Sequence, residues 1–250
     1  MMVILKRPDE IEKMRASNRI VSEILSALKE KTKPGITTVD LDRYAEEMTK
    51  KKGAKPAFKG YRGYPFALCT SVNAEVVHGM PSNRILKSGD IISLDFGVHY
   101  KGYYGDAAIT IPVGDISEEA KRLLKVTEQS LMDGIRQAKV GNRLGDISCC
   151  VQNCAEAAGF SVVRDFGGHG IGKRLHEEPH VPNYGVGGRG IELKSGMVIA
   201  IEPMVNTGTY KVHILDNGWT VVTEDGKLSA HFEHTVAITE QGPVILSQKH

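Results

Sequence analysis

LKSGMVIAIEPMV, Leu193 to Val205, repeats words met earlier in the chain as LKSGDIISLDFGV, Leu86 to Val98. Six of thirteen positions are identical at an offset of 107, and Asp95 falls on Glu202. A second echo stands upstream at an offset of 106, where KPGITTVDL (Lys33 to Leu41) lies over KVGNRLGDI (Lys139 to Ile147) and Lys33, Gly35 and Asp40 recur. Chance gives either echo alone. Two in the same order at nearly one offset argue for a duplicated half. Two long copies, about 7–112 and 116–240, imply two related lobes within one domain spanning 1–250.

Each copy carries the same kinds of element. Ile11, Met14, Val21, Leu25 and Leu28 make one amphipathic stripe. Thr37 to Asp40 resembles a capping box opening a second helix that stops at Gly53. LCTSV, DIISLDFGV and AAITI read as strands. In the second copy Ser117 with Glu118 and Glu119 opens a helix through Lys139, another runs from Leu144 to Ala158, and FSVV, MVIAIEPMV, WTVVT and FEHTVAIT read as strands. Helix pairs preceding β-hairpins indicate an α+β fold, with two lobes meeting along a sheet.

Glu202 then needs an explanation. It follows Met197, Val198, Ile199 and Ile201, and a buried carboxylate without a partner costs about 3–5 kcal/mol. Asp95 stands at the equivalent place. In DFGVHYKGYYGD a tight turn at Lys101-Gly102 pairs Gly97 with Asp106 and sets Asp95 diagonal to it on the same face. A bulge that turns one of the two to solvent is the plainer reading of that hairpin by itself. Glu233 sits in a strand pattern with Phe232 and His234 on the other face, which alone fits a half-exposed glutamate. His169, among the glycines of GGHGIG, is the fifth candidate: the glycines allow close backbone approach and positive φ, and the order is not that of a phosphate loop. The charge sum separates the readings. Asp95, Asp106, Glu202 and Glu233 carry −4 with no Arg or Lys adjacent in these strands, so they take up protons or hold cations. Two divalent ions with a neutral His169 balance them, and an oxygen-rich set with one imidazole suits Mn, Fe, Co or Zn. Two such ions can share and ionise a water near neutral pH.

HEEPH, His176 to His180, matches the zinc-protease pattern by letter only. That pattern needs an unbroken helix, and Pro179 sits inside the required turn. His176, and His78 in VVHGMP, read as ordinary turn or core histidines if isolated; beside a dinuclear site each could donate to a substrate carbonyl.

The remaining composition is that of an ordinary globular protein, 41% hydrophobic and 25% charged. A net charge of +2 is too small to make nucleic acid the main partner. The most basic run, TKKKGAK (Thr49 to Lys55), reads first as the solvated last turn of a helix and second as a docking patch for an acidic surface. The first fifteen residues do not form a secretory signal, and no apolar run reaches the length of a membrane span. Cys69, Cys149, Cys150 and Cys154 include no CxxC, so a reducing cytoplasmic compartment is expected rather than a disulfide framework.

VVHGMP, SLDFGV with Asp106 following, GGHGIG with HEEP, AIEPM and HFEHT together resemble a type I methionine aminopeptidase over essentially the whole chain. The resemblance implies the pseudo-symmetric pita-bread fold and removal of the initiator methionine from nascent polypeptides, mainly before a small second residue. It implies Asp95, Asp106, His169, Glu202 and Glu233 as ligands of two divalent ions, with Asp106 and Glu233 bridging. A metal-bridging hydroxide would attack the first peptide carbonyl, Glu202 would take the proton of the attacking water, and His78 and His176 would stabilise the tetrahedral intermediate. Tyr61, Tyr64, Cys69 and Trp219 match the methionine pocket, whose apolar character suits a thioether. Leu175 and Phe58 stand at pocket positions where family members often carry other residues, so both are expected to reshape it. The family is expected to be monomeric, and weak ribosome docking through Lys50 to Lys55 is a further expectation. An Xaa-Pro peptidase of the same fold and a binding protein that has lost its metals are the competing readings. The first usually has an added N-terminal domain, and the retained ligand set argues against the second.

Overall fold

In the computed structural model, residues 3–248 are described; Met1, Met2, Lys249 and His250 of the expected single domain lie outside them. Four helices, α1 (Pro8–Lys31), α2 (Thr38–Lys51), α3 (Glu118–Gln137) and α4 (Leu144–Ala157), fall where capping and apolar periodicity predict them. Thr37 accepts from Asp40 N at 3.2 Å and Ser117 accepts from Ala120 N at 3.2 Å, each satisfying a first-turn donor. The strands of the first half are β1 (Lys55–Pro56), β2 (Leu68–Val72), β3 (Glu75–Val77), β4 (Ile91–Tyr100) and β5 (Tyr103–Pro112). Those of the second are β6 (Ser161–Val162), β7 (Gly167–Gly170), β8 (Glu177–Pro182), β9 (Val198–Ile201), β10 (Met204–Asn206), β11 (Val212–Ile214), β12 (Val221–Thr223), β13 (Ser229–His231), β14 (Glu233–Thr239) and β15 (Gly242–Ile245).

An antiparallel sheet in the order β1-β4-β5-β14-β9-β7-β8 forms the frame, with β2 also on β4 and β15 also on β14. The β4–β5 hairpin closes through Lys101 (φ 49°) and Gly102 (φ 84°), a two-residue turn whose twist matches the strands. That turn fixes the register and pairs Gly97 with Asp106 and Asp95 with Ala108.

Equivalent bonds recur in the two halves. Gly35 N donates to Leu86 O at 2.8 Å and Leu86 N to Ile36 O at 2.9 Å; Gly141 N donates to Leu193 O at 3.1 Å and Leu193 N to Asn142 O at 2.7 Å. The cores correspond as well. Leu41, Leu86, Ile92 and Leu94 are buried in one cluster, Ile147, Leu193, Ile199 and Ile201 in another. Each cluster covers the helix-facing side of the sheet, so the other face is free to carry polar groups.

The predicted strand MVIAIEPMV is interrupted. Pro203 has no N–H to give to a ladder, so β9 ends at Ile201 and β10 starts at Met204, leaving Glu202 in the break. WTVVT is likewise shorter than expected, because Trp219 and Thr220 turn around the Asn217 side chain before β12 begins. HEEPH is no helix: Glu177–Pro182 is strand β8 paired with β7. The basic run ends α2 as expected; Lys50 pairs with Glu46 at 3.0 Å, and Lys52 bonds Glu23. All four cysteines are free. No described helix is long and apolar enough to cross a membrane.

Candidate metal centre

Strand register puts the candidate donors on one face. Asp95 stands opposite Ala108 and two residues from the partner of Asp106, so both carboxylates share a face. Glu233 is also opposite Ala108, from the other side. His234 pairs with Ile201, and the next step of that register brings Glu202 across from Glu233. Gly170 pairs with Ile199, which aligns His169 with Ala200, two residues before Glu202. Five neighbouring strands or strand ends, β4, β5, β14, β9 and β7, thus deliver one candidate ligand each.

Ligand atoms of Asp106, His169 and Glu233 lie within 4.8 Å of one another. His169 Nε2 is 3.7 Å from Glu202 Oε1. Nδ1 of His169 lies 2.9 Å from Gly170 O, which only accepts, so Nδ1 carries the proton and Nε2 presents a lone pair to the carboxylates. The glycines beside His169 act by close approach. A Cβ on Gly168 would sit 2.1 Å from Ala200 O, and one on Gly170 would sit 2.2 Å from Glu178 O. None of the four glycines of GGHGIG has positive φ, which corrects that part of the sequence expectation.

The electrostatics show what these donors lack. Asp95 Oδ1, Asp106 Oδ1 and Glu233 Oε1 are buried with no hydrogen-bond partner among the described residues. Burial, with the charge of Glu202 adding to it, pushes Asp95 up to about 7. Burial and neighbouring carboxylates push Asp106 and Glu233 far above the carboxylate range. Glu202 moves the other way: burial alone would raise it, and the His231 side chain is the leading group that brings it below the ordinary range. Four acidic groups, an imidazole with a free lone pair and orphaned oxygens are a donor set that divalent cations fit.

A cavity of about 280 Å³ opens over the centre. Every residue proposed from the sequence for the metal centre or the substrate pocket lines it: Phe58, Tyr61, Tyr64, Cys69, His78, Leu175, His176 and Trp219 join the five donors. Phe58, Tyr64, Cys69 and Leu175 form its buried apolar end. Burial, then the charge of Asp95, raises the Cys69 thiol well above its usual range, so it is a neutral lining group and not a nucleophile.

The two histidines are held by different means. His78 has φ 59°, a left-handed conformation costing a non-glycine residue about 1 kcal/mol or more, and the flanking backbone enforces it. Gly79 O accepts from Thr70 N at 2.8 Å and from the Tyr64 hydroxyl at 3.1 Å, while Gly79 N donates to Ser71 Oγ at 3.1 Å. Phe166 and Trp219 meet the His78 ring edge to face at 5.9 and 6.3 Å. His176 lies at the rim, its ring centroid 4.1 Å from that of His169, and its Nδ1 is 2.9 Å from the Tyr61 hydroxyl. A Tyr61 O–H donating to Nδ1 leaves the His176 proton on Nε2, free to donate. The pocket walls lower His176 to about 3, although the residue is exposed at the rim. Its neighbour Glu177 is anchored by a buried ion pair with Lys6, Nζ to Oε2 2.6 Å, which ties the start of the chain to this loop.

Sequence reading missed His231 and Arg62. His231 is buried with neither ring nitrogen hydrogen-bonded, and its Nε2 is 3.5 Å from Glu202 Oε2. Period-two alternation with Glu233 in HFEHT was the available signal, because it places His231 on the same face. Arg62 lines the cavity mouth, and nothing in YRGY foretells that.

A scan against family models matches metallopeptidase family M24 over residues 12–240. A methionine aminopeptidase of Clostridium perfringens (strain 13 / Type A) is 58% identical over 246 residues, covering 98% of this chain and 99% of the relative. The crystal structure of methionine aminopeptidase from Thermotoga maritima superimposes with a TM-score of 0.98 at 48% identity, over 99% of this chain and 100% of that one. A prolidase from Pyrococcus horikoshii OT3 matches at a TM-score of 0.81 and 24% identity over 100% of this chain and 65% of its own length, a likeness of fold alone. The pita-bread architecture that the resemblance implies is the architecture these proteins share with the chain.

Proposed function

The chain belongs to metallopeptidase family M24 and, within it, to the methionine aminopeptidases, and on that premise we propose that it removes the initiator methionine from nascent polypeptides whose second residue is small. Asp95, Asp106, His169, Glu202 and Glu233 would hold two divalent ions. When bound, such ions acidify water and withdraw electron density from a peptide carbonyl. The reading rests above all on buried carboxylate oxygens with no partner, converging on one imidazole lone pair.

The chain's own groups then divide the work. Of the four acidic side chains only Glu202 is held below the ordinary range, so it is ionised at neutral pH and suited to accept the proton of the attacking water. Near it, His231 supports the ionised form. His176 would donate from Nε2 to the carbonyl oxygen as charge develops there, and His78, fixed by its neighbours, would donate from the other side or orient the amide. Phe58, Tyr61, Tyr64, Cys69, Leu175 and Trp219 would enclose the methionine side chain, a polarisable group that packs well against rings and a neutral thiol. We also propose that the chain is one catalytic domain of duplicated halves, about 7–112 and 116–240, a reading supported by the matched hydrogen bonds about Leu86 and Leu193.

Hydrolysis of Met-Ala-Ser, measured beside an Xaa-Pro peptide at defined Mn, Fe, Co or Zn content, tests the assignment. Release of methionine from the first, at least ~100-fold faster than cleavage of the second, is expected, a margin of about 2.7 kcal/mol in transition-state binding. The reverse preference would make the chain an Xaa-Pro peptidase.

A further inference from the structure

Arg62 is the one Lys or Arg among the described residues that line the cavity. It is exposed, and none of the described carboxylates forms an ion pair with it. Its guanidinium lies over the Tyr61 ring, 5.4 Å from the centroid, and that ring in turn stacks on His176 at 5.2 Å and 26°. The cation therefore stands at the rim, one ring beyond His176, whose own ring packs on the His169 imidazole.

The backbone holds it there. Gly60 N donates to Tyr64 O at 2.7 Å and Tyr64 N to Tyr61 O at 3.0 Å, closing a short turn. Within that turn Arg62 has φ 50°, between Gly60 at 86° and Gly63 at 93°. A glycine would adopt this conformation freely, whereas arginine is strained in it. A strained position carrying an unpaired charge at a cavity mouth points to use by a ligand.

From these observations, and resting on the function proposed above, we infer that Arg62 is a specificity-determining residue favouring peptides with Asp or Glu at the third or fourth position. The buried apolar end of the cavity takes the first side chain, so the rest of the peptide leaves past the rim. Successive residues advance by about 3.3–3.6 Å, which carries the third and fourth out to the zone that a long arginine side chain sweeps. The cation–π contact leaves the guanidinium N–H edges free to meet a carboxylate.

Met-Ala-Glu-Ser and Met-Ala-Lys-Ser, with Met-Ala-Ser as reference, test this at low salt with wild type, Arg62→Gln and Arg62→Glu. All three proteins keep a non-glycine residue at φ 50°, so backbone strain is common to them. Wild type should prefer the acidic peptide by roughly three- to tenfold in kcat/KM, the size expected of one solvent-exposed charge pair. Arg62→Gln should abolish the preference and Arg62→Glu reverse it; salt at about 0.5 M should flatten the wild-type ratio. Dissociation constants of the same peptides with the first amide reduced to a methylene amine should follow the same order, a readout independent of turnover. Ratios equal within about twofold in wild type and Arg62→Glu, with Met-Ala-Ser still hydrolysed, overturn the role of Arg62 alone. No hydrolysis of any methionyl peptide by wild type overturns the function and this inference with it.

Discussion

Replacing Glu202 by glutamine is expected to lower kcat on Met-Ala-Ser by at least ~10³-fold while the protein remains folded. Removing a positioned general base alone typically costs 10²–10⁴-fold, and here the same side chain is also a proposed cation ligand. Stability should respond in the opposite sense. Glu202 is one of four clustered carboxylates, of which Asp106 and Glu233 are buried, and its charge helps to raise Asp95, Asp106 and Glu233. An amide of the same shape relieves that repulsion, so the metal-free variant should melt no lower than metal-free wild type. Asp95→Ala should be as inactive as Glu202→Gln. Steady-state kinetics beside thermal unfolding in chelator separates the two effects. Near-wild-type turnover in both variants would refute the assignment.

The second large effect is on pH dependence. Asp95, Asp106 and Glu233 have folded-state pKa values above their unfolded ones, because burial disfavours their charged forms. The stability they allow is fully present below the unfolded carboxylate pKa and is lost as pH rises through the folded values, about 7 for Asp95. Metal-free protein should therefore lose stability between pH 6 and pH 9, on the order of 2–4 kcal/mol, or a melting point lower by about 5–10 °C. His234, His176 and His78, all lowered by burial, act in the opposite direction as pH falls below the unfolded histidine pKa of about 6.5, so they oppose the trend only at the lower edge of that window. Divalent cations should cancel the slope, since they bind the ionised carboxylates and compete better as protons leave. Asp106→Asn should flatten the metal-free slope. Scanning calorimetry across the window, with and without Mn, reads all three. A metal-free protein equally stable at both ends would contradict the raised carboxylates.

Much of this site was legible because β-structure has a period of two. Once the Lys101-Gly102 turn was recognised, the register of Asp95 and Asp106 followed, and the repeat carried the inference to Glu202. Pro179 was enough to reject the zinc-protease helix. What escaped depended on tertiary contact. Pro203 breaks the strand and leaves Glu202 in the gap, and His231 meets Glu202 only because β13 ends where β14 begins. Close approach of Ala200 and Glu178, not positive φ, explains the glycines around His169. Arg62 enters the cavity through a three-residue turn, and the partner of Glu177 is Lys6, 171 residues away. Local pattern fixes which face a side chain takes; it does not say what approaches that face from elsewhere in the chain.

Stoichiometric titration of chelator-stripped protein with Mn²⁺, followed by calorimetry and electron paramagnetic resonance, bears most directly on the convergence of acidic groups from both halves around paired cations. Two ions per chain with a spin-coupled spectrum, the coupling abolished by Asp106→Asn, is the expected result. Failure to bind Mn²⁺ at millimolar concentration, or two-ion binding unchanged when Asp106 and Glu233 are both replaced, would contradict it.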